Sequence, residues 1–571
     1  MKSTLKNSAA VRAVVVPGFC LPRMQRRSAI GVVAMFIAVT ACVVAAADDD
    51  RNSTVDRRRS QLQEQHQEIL RNLRFDLTNL SQQCFDRGQT QAAADVTAIS
   101  LQLTTDSPQE SESLPRMMRL PVNPALPPEE KLWRERLHAI REDYAADFYR
   151  LARAALRAEL PSLAYAWVQD VIRIDPDHRH ARMILGQQAF RDRSRQDDPT
   201  YAGEWVSPFE ARMRSGSRPH VFDSRFGWIP QAHLQRYEDG ERPWGRNWVS
   251  VEKEAELRRN FRDAWEIESE HFLVKTNTSR EEGVQLSLKL ETFDSWVQTH
   301  FAAFFDTPQA LEERFEQASP RRRASDDDQR MTVHYYALQS EYNEAVRDKI
   351  PANLVTNGLY WEPNQTSYFY RSGDLTTLFH EGTHQVLDIH TLDDRRTAAR
   401  LKARMLGSRN PTAWTLCENS NFWVIEGPAC YFESFQIHEN GATVGDPANP
   451  RFVAAIHRLL APTPEAKFYL PLQEFCSLGK DSFQNHPNVA QLYSQASGVT
   501  HFLMHYDDGR YRDDLVRLLS AVYRPNLKDL SHEPSLEEIT GVRFEVLDQQ
   551  YRDHMETLAI QLRERAEKNA K

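Results

Sequence analysis

The chain reads as an α+β protein. A small mixed sheet leads into a helix bearing a His-Glu-x-x-His run, a helical C-terminal subdomain follows, and an α-helical region precedes the sheet. Three observations carry this reading. Apolar residues recur at helical spacing from Ser60 to about Phe190 and again after Glu433. Short β-branched and aromatic runs lie between Trp265 and Tyr370. Directly after them, His380-Glu381-Gly382-Thr383-His384 sits inside the apolar-periodic stretch Leu375 to Ile389.

At 571 residues the chain exceeds what one core supports. The expected divisions are residues 1–47, 60–190, 201–250 and 265–571. The first is a targeting segment. Arg23, Arg26 and Arg27 precede an apolar run from Ala29 to Ala47, and Ala45-Ala46-Ala47 forms an A-x-A cleavage pattern before Asp48. The run also suits a retained anchor, since nineteen apolar residues just span a bilayer. Val39-Thr40-Ala41-Cys42 resembles a lipobox, which would leave Cys42 lipidated. Secreted, periplasmic or envelope-anchored, the rest of the chain is expected outside the cytoplasm.

From Gln61 to Cys84 and from Thr90 to Leu103 the pattern predicts two helices, joined at Asp86-Arg87-Gly88. A proline-rich linker from Pro115 to Pro128 follows, then a second hairpin over Lys131 to Glu159 and Leu163 to Ile174. The run from Ala164 through Asp175-Pro176 to Leu185-Gly186 resembles the second helix and exit of a tetratricopeptide repeat, which implies a surface for a protein partner. Plain hairpins covering the next domain fit equally. Tyr201 to Val249 interleaves aromatics, from Trp205 to Trp248, with glycines, the mark of a small hairpin-rich module. Its aromatics either staple a small core or stack on sugars.

Trp265 to Thr276 is expected as a strand. Thr278-Ser279 with Glu281-Glu282 gives a capping box for a helix with the stripe Leu286, Leu290, Phe293, Val297, Phe301 and Phe304. Met331 to Leu338 is a second strand. Leu354 to Trp361 and Thr366 to Tyr370 flank a hairpin turn at Glu362-Pro363-Asn364-Gln365. Asp374 is a suitable N-cap for the motif helix. Gly382 costs that helix about 1 kcal/mol against alanine, a cost expected to reflect close approach of substrate or a packed strand.

Residues four apart share a helix face, so His380 and His384 can reach one metal together. Glu381 projects beside them, where it can act on water at that metal. A catalytic zinc takes three protein ligands. Glu426, a carboxylate in the apolar run Phe422 to Phe432, is costly there unless paired or metal-bound. Glu433, two helical turns on, can accept a hydrogen bond from a ligand histidine and fix its ring.

His380-Glu381-x-x-His384 followed by Trp423-x-x-Glu426-Gly427-x-Ala429-x-Tyr431-x-Glu433 resembles the gluzincin metallopeptidases, and within them the branch of the one-zinc aminopeptidases and their secreted bacterial relatives. The resemblance spans roughly Glu266 to Leu558. It implies one Zn2+ per chain held by His380, His384 and Glu426, with Glu381 as general base and Tyr493 stabilising the oxyanion. It further implies a peptide or protein substrate whose extended backbone lies along an edge strand, here Thr356 to Tyr360. The interval from His384 to Glu426 is longer than in those aminopeptidases, and their G-x-M-E-N segment is not visible. Aminopeptidase specificity is therefore not implied.

Other readings of the same residues are plainer. The histidines could be packed and hydrogen-bonded, or the metal structural in an extracytoplasmic binding or scaffold protein. Tyr493 could be a half-buried packing residue. His501 and His505, four apart, read as packing or substrate-facing. A net charge of −9 gives no basic footprint for nucleic acid. Arg321-Arg322-Arg323, followed by Asp326-Asp327-Asp328, reads as a solvated loop. No C-x-x-C pair supports a cysteine-ligated zinc. Of Cys84, Cys417, Cys430 and Cys476, the last three would suit one disulfide in an oxidising compartment, and Cys430 also reads as a small buried apolar residue.

Overall fold

The computed structural model describes residues 29–102, 111–112, 114–317, 330–351, 355–371, 375–408, 413–439 and 441–569. The targeting segment expected over 1–47 falls partly on residues 1–28, outside this set; the remainder lies in the first helix, where no side chains are described. The arginine and aspartate triplets at 321–328 and the expected cap Asp374 also lie outside it. Among the described residues no helix is long and apolar enough to cross a membrane. Contacts divide the chain into residues 1–51 and one compact unit, Asn52–Lys571.

The protein is α+β. Helix α1 (Ala29–Asp86) starts earlier than its apolar pattern suggested and turns at Gly88 into α2 (Thr90–Gln102). Gly88 has φ +75°, the left-handed conformation a helix exit needs. Helices α3 (Pro128–Arg157) and α4 (Pro161–Ile174) form the second hairpin, and each has proline in its first turn, where the missing N–H costs nothing. Only a six-residue helix, Arg179–Ile184, follows.

The hairpins do not close a core from their own residues alone. Their buried cluster, including Leu77, Phe148, Trp167 and Val171, also takes in Ala302, Leu311 and Phe315 from much later in the chain. Arg314 donates to the Tyr165 hydroxyl at 2.7 Å, and Tyr149 donates to the Phe315 carbonyl at 2.6 Å. The Asp513 carboxylate accepts from the backbone N–H of Ser162 at 3.0 Å and from its hydroxyl at 2.9 Å. A distant residue thus caps the start of α4, where helix N–H groups lack partners.

The aromatic segment forms two-stranded ribbons, His220–Asp223 with Gly227–Pro230 and Glu241–Trp244 with Asn247–Ser250. Phe226, Ile229 and Tyr237 make its small core, which fits the stapling role.

A five-stranded mixed sheet follows: β1 (Trp265–Glu268), β2 (Phe272–Thr276), β3 (Met331–Tyr336), β4 (Gly358–Trp361) and β5 (Thr366–Tyr370), in the order β4-β5-β3-β2-β1. The single strand expected over Trp265 to Thr276 is instead the hairpin β1–β2, because the chain reverses at Ser269–His271. Strands β2, β3 and β5 run parallel, and β4 closes an antiparallel edge. Such parallel pairing needs a crossover, and α5 (Arg280–His300) supplies part of it between β2 and β3. The Ser279 hydroxyl caps α5, accepting from the Glu282 N–H.

Phe272, Val274, Val333 and Phe369 on the sheet pack with Leu290 and Phe293 of α5 and with Leu378, Phe379 and Val386 of α6 (Thr376–Ile389). The edge strand β4 lies hard against α6. A Cβ at Gly358 would come within 2.5 Å of the Thr377 methyl, so only glycine allows this approach. Gly382 is different, because it faces Phe293 of α5 at 3.5 Å, an ordinary contact. Of the two reasons expected for this glycine, a packed strand is therefore not the one, since the neighbours are helix side chains.

Beyond α6 the chain is mainly helical: α7 (Trp423–Phe432), α8 (Pro450–Leu460), α9 (Val489–His505), α10 (Arg512–Tyr523) and α11 (Phe544–Asn569). The exception is a short ribbon, Gln436–His438 with Gly441–Thr443. Helix α7 is buried throughout and meets α9 closely, since a Cβ at Gly427 would strike the Thr500 hydroxyl at 2.5 Å. Cys84, Cys417, Cys430 and Cys476 are all free, so the disulfide expected among the last three is absent.

Candidate metal centre

Helix α6 sets the rings of His380 and His384 one above the other, with centroids 5.0 Å apart and planes at 78°. Helix α7 brings Glu426 across to them. Its Oε2 lies 3.6 Å from His380 Nε2 and 3.7 Å from His384 Nε2. Two imidazole nitrogens and a carboxylate oxygen therefore converge at a spacing that admits one cation. The two histidine side chains keep 16% and 17% of their surface open to solvent.

Burial works to raise the pKa of Glu426, but the close imidazoles of His380 and His384 hold it well below the usual carboxylate range. It is thus an ionised donor. Burial also opposes charge on His380, yet contacts with Cys430, Glu426 and Glu433 outweigh it and lift the pKa well above the ordinary value.

Glu433 caps the C-terminal end of α7. The Nδ1–H of His380 donates to its Oε1 at 3.0 Å, which leaves Nε2 turned to the donor set. Arg451, in the first turn of α8, grips the other side of Glu433, with Nε at 2.9 Å from Oε2 and Nη2 at 3.1 Å from Oε1. Arg451 also lies 6.0 Å from the centre of the Tyr493 ring.

Glu381 stands outside the donor set. Its Oε2 accepts from the backbone N–H of Tyr360 at 2.6 Å, so the carboxylate faces edge strand β4. The Tyr360 hydroxyl in turn donates to Asp388 Oδ2 at 2.6 Å. Asp388 lies one turn beyond His384 and is gripped by Arg395, which also donates to Glu362 at 2.6 Å. This chain of bonds ties β4 to α6 at two points.

Tyr493, on α9, is half-buried with its ring edge-on to Phe483 at 5.5 Å. Burial raises its pKa first, and the negative charge of Glu426 and Glu381 adds to this, so its phenol keeps its proton. His501 and His505 lie elsewhere on α9. His501 contacts His554 Nε2 and the Gly445 carbonyl, each at 3.0 Å, and His505 pairs with the Tyr431 hydroxyl at 2.8 Å. They are packing residues.

The sequence reading missed Arg451, Asp388, Arg395 and the nearness of Cys430 to His380. Asp388 had a signal, being four residues after His384 on one helix face. Arg451 had none, since only the packing of α8 on α9, which itself lies against α7, brings it to Glu433. A separate donor group, His271, Glu291 and Asp294, lies at the start of β2 and on α5. There the His271 ring and backbone N–H both bind Glu291, at 2.7 and 2.6 Å, which fixes the strand entry. The chain matches no family model and no curated protein.

Proposed function

We propose that the chain is an exported, zinc-dependent peptidase with a gluzincin-like domain. The observation that carries this is the division of labour along α6. His380 and His384 converge with Glu426, whereas Glu381, between them in sequence, stays out of the set and faces an edge strand. Two imidazoles and one carboxylate form the borderline donor set that suits zinc and leaves a fourth position free. When bound, zinc would polarise the scissile carbonyl and acidify water.

The chain's own residues do the rest. Edge strand β4 offers backbone to an extended peptide, and the Tyr360–Asp388 bond keeps that edge in register with the base. Glu381 takes a proton from the attacking water and passes it to the leaving amine. The Tyr493 phenol supplies a hydrogen bond to the oxyanion. Glu433 and Arg451 hold the His380 ring. Residues 1–47 would direct export or attach the chain to a membrane, and the helical hairpins, read as tetratricopeptide-like, would offer a face to a protein partner.

The test is zinc content together with cleavage of an unbiased peptide library. One zinc per chain, lost in both His380→Ala and Glu426→Ala, and hydrolysis by wild type are the expected results. Undiminished zinc in both variants would remove the ligand assignment. Bound zinc with no library member cleaved would favour a binding or scaffold protein with a structural metal.

A further inference from the structure

The ring of His380 belongs to two donor sets. Its Nε2 faces Glu426, its Nδ1 faces Glu433, and the Cys430 sulfur lies beside the same ring. The ligand atoms of His380, Cys430 and Glu433 all lie within 4.8 Å of one another. We infer that these three residues form a second, inhibitory site that captures a soft divalent cation, such as cadmium or excess zinc, on the far nitrogen of the same imidazole. The consequence for activity rests on the peptidase reading; the site itself does not.

Cys430 is fully buried, one turn after Glu426 on α7, and no step of the proposed hydrolysis uses its sulfur. A thiolate selects soft or borderline cations over magnesium or calcium. A cation taking the Glu433 carboxylate must displace the two hydrogen bonds from Arg451. The second set is therefore the weaker of the two. On capture, the Cys430 thiol proton and the His380 Nδ1 proton leave to solvent, and the cation accepts the freed electron pairs of sulfur and nitrogen. The ring can no longer donate to Glu433, so the bond that aims Nε2 at the first set is lost.

The experiment loads the full chain with one equivalent of zinc and then titrates cadmium. It follows thiolate-to-cadmium charge-transfer absorption and peptide hydrolysis together. In wild type the band should grow over one further equivalent while hydrolysis falls by about 10-fold or more, the range seen when a ligand's support is removed. Cys430→Ser and Cys430→Ala should retain the first zinc and give no band. Should either fold poorly by circular dichroism, Glu433→Gln serves instead and should need more cadmium for the same band. His384→Ala, which breaks only the first set, should still give the band with cadmium alone. That result would stand even if wild type cleaved no peptide. An equal band in Cys430→Ser, or none in wild type at excess cadmium, would overturn the inference.

Discussion

Replacing Glu381 by glutamine separates chemistry from structure at one atom. The carboxylate makes one described hydrogen bond, accepting from the Tyr360 N–H at 2.6 Å. Glutamine keeps an oxygen able to take that bond, and the change is from a charged to a neutral acceptor. Bonds to charged groups are worth about 1.5–3 kcal/mol and neutral ones about 0.5–1.5, so the fold should lose about 1 kcal/mol. Zinc should be untouched, because Glu381 is not among the converging donors. The reaction, however, loses its proton acceptor, and that typically costs about 10²–10⁴ in rate, or about 2.7–5.5 kcal/mol of barrier. Denaturant unfolding, elemental analysis and kcat on a cleaved library peptide measure the three quantities on the same preparation. Hydrolysis by Glu381→Gln at the wild-type rate would refute the assignment of the base.

Three further outcomes are expected. Arg451→Met leaves Glu433 held by His380 alone, so zinc affinity should fall by about 10- to 100-fold and Arg451→Lys should restore part of it; equal affinities in a chelator competition would deny Arg451 any role in aiming the ring. Tyr493→Phe should lower kcat by about 10²–10³ with KM little changed, as for loss of one oxyanion donor, and an unchanged kcat would return Tyr493 to packing. Burial depresses the pKa of His501 to about 4 and of His554 to about 3. Both bind protons more readily when unfolded, so their contribution to stability is complete above about pH 6.5 and drains away as pH falls from there to about 4 for His501 and about 3 for His554. Denaturant midpoints of wild type should therefore drop more steeply over that window than those of His554→Gln, whereas parallel curves would show that the cluster is not the source.

What could be read from residue order is what short-range physics controls. The pairing of His380 with His384 follows from helix pitch, and the value of Glu426 follows from a charge lying in an apolar run. Ser279 and the Pro363 turn mark their own element boundaries. What was not legible depends on long-range packing. Trp265 to Thr276 reads as one strand because nothing in the apolar pattern marks the reversal at Ser269–His271. The cysteines suggested a bridge by number alone, but Cys430 lies buried in α7 one turn after Glu426 and Cys476 is buried beside Trp423, and all are free. Gly382 read as a place where a strand could pack closely, but close approaches lie elsewhere, at Gly358 and Gly427 among others, which no period in the sequence marks. Arg451 reaches Glu433 only because α8 packs on α9, which lies against α7.

The shared burial of Leu311 and Phe315 with the N-terminal hairpins, and the capping of α4 by Asp513, constrain how this chain can be cut or recombined. A fragment beginning at the sheet would expose two apolar side chains now 1% and 2% accessible and leave the Arg314 guanidinium without Tyr165. A fragment ending before it would lose the cap of α4. Neither half carries a finished surface at the seam, so the hairpins are not an appendage that gene shuffling could add or remove intact. Limited proteolysis should accordingly find no stable product ending between them, and the two halves should melt in one transition.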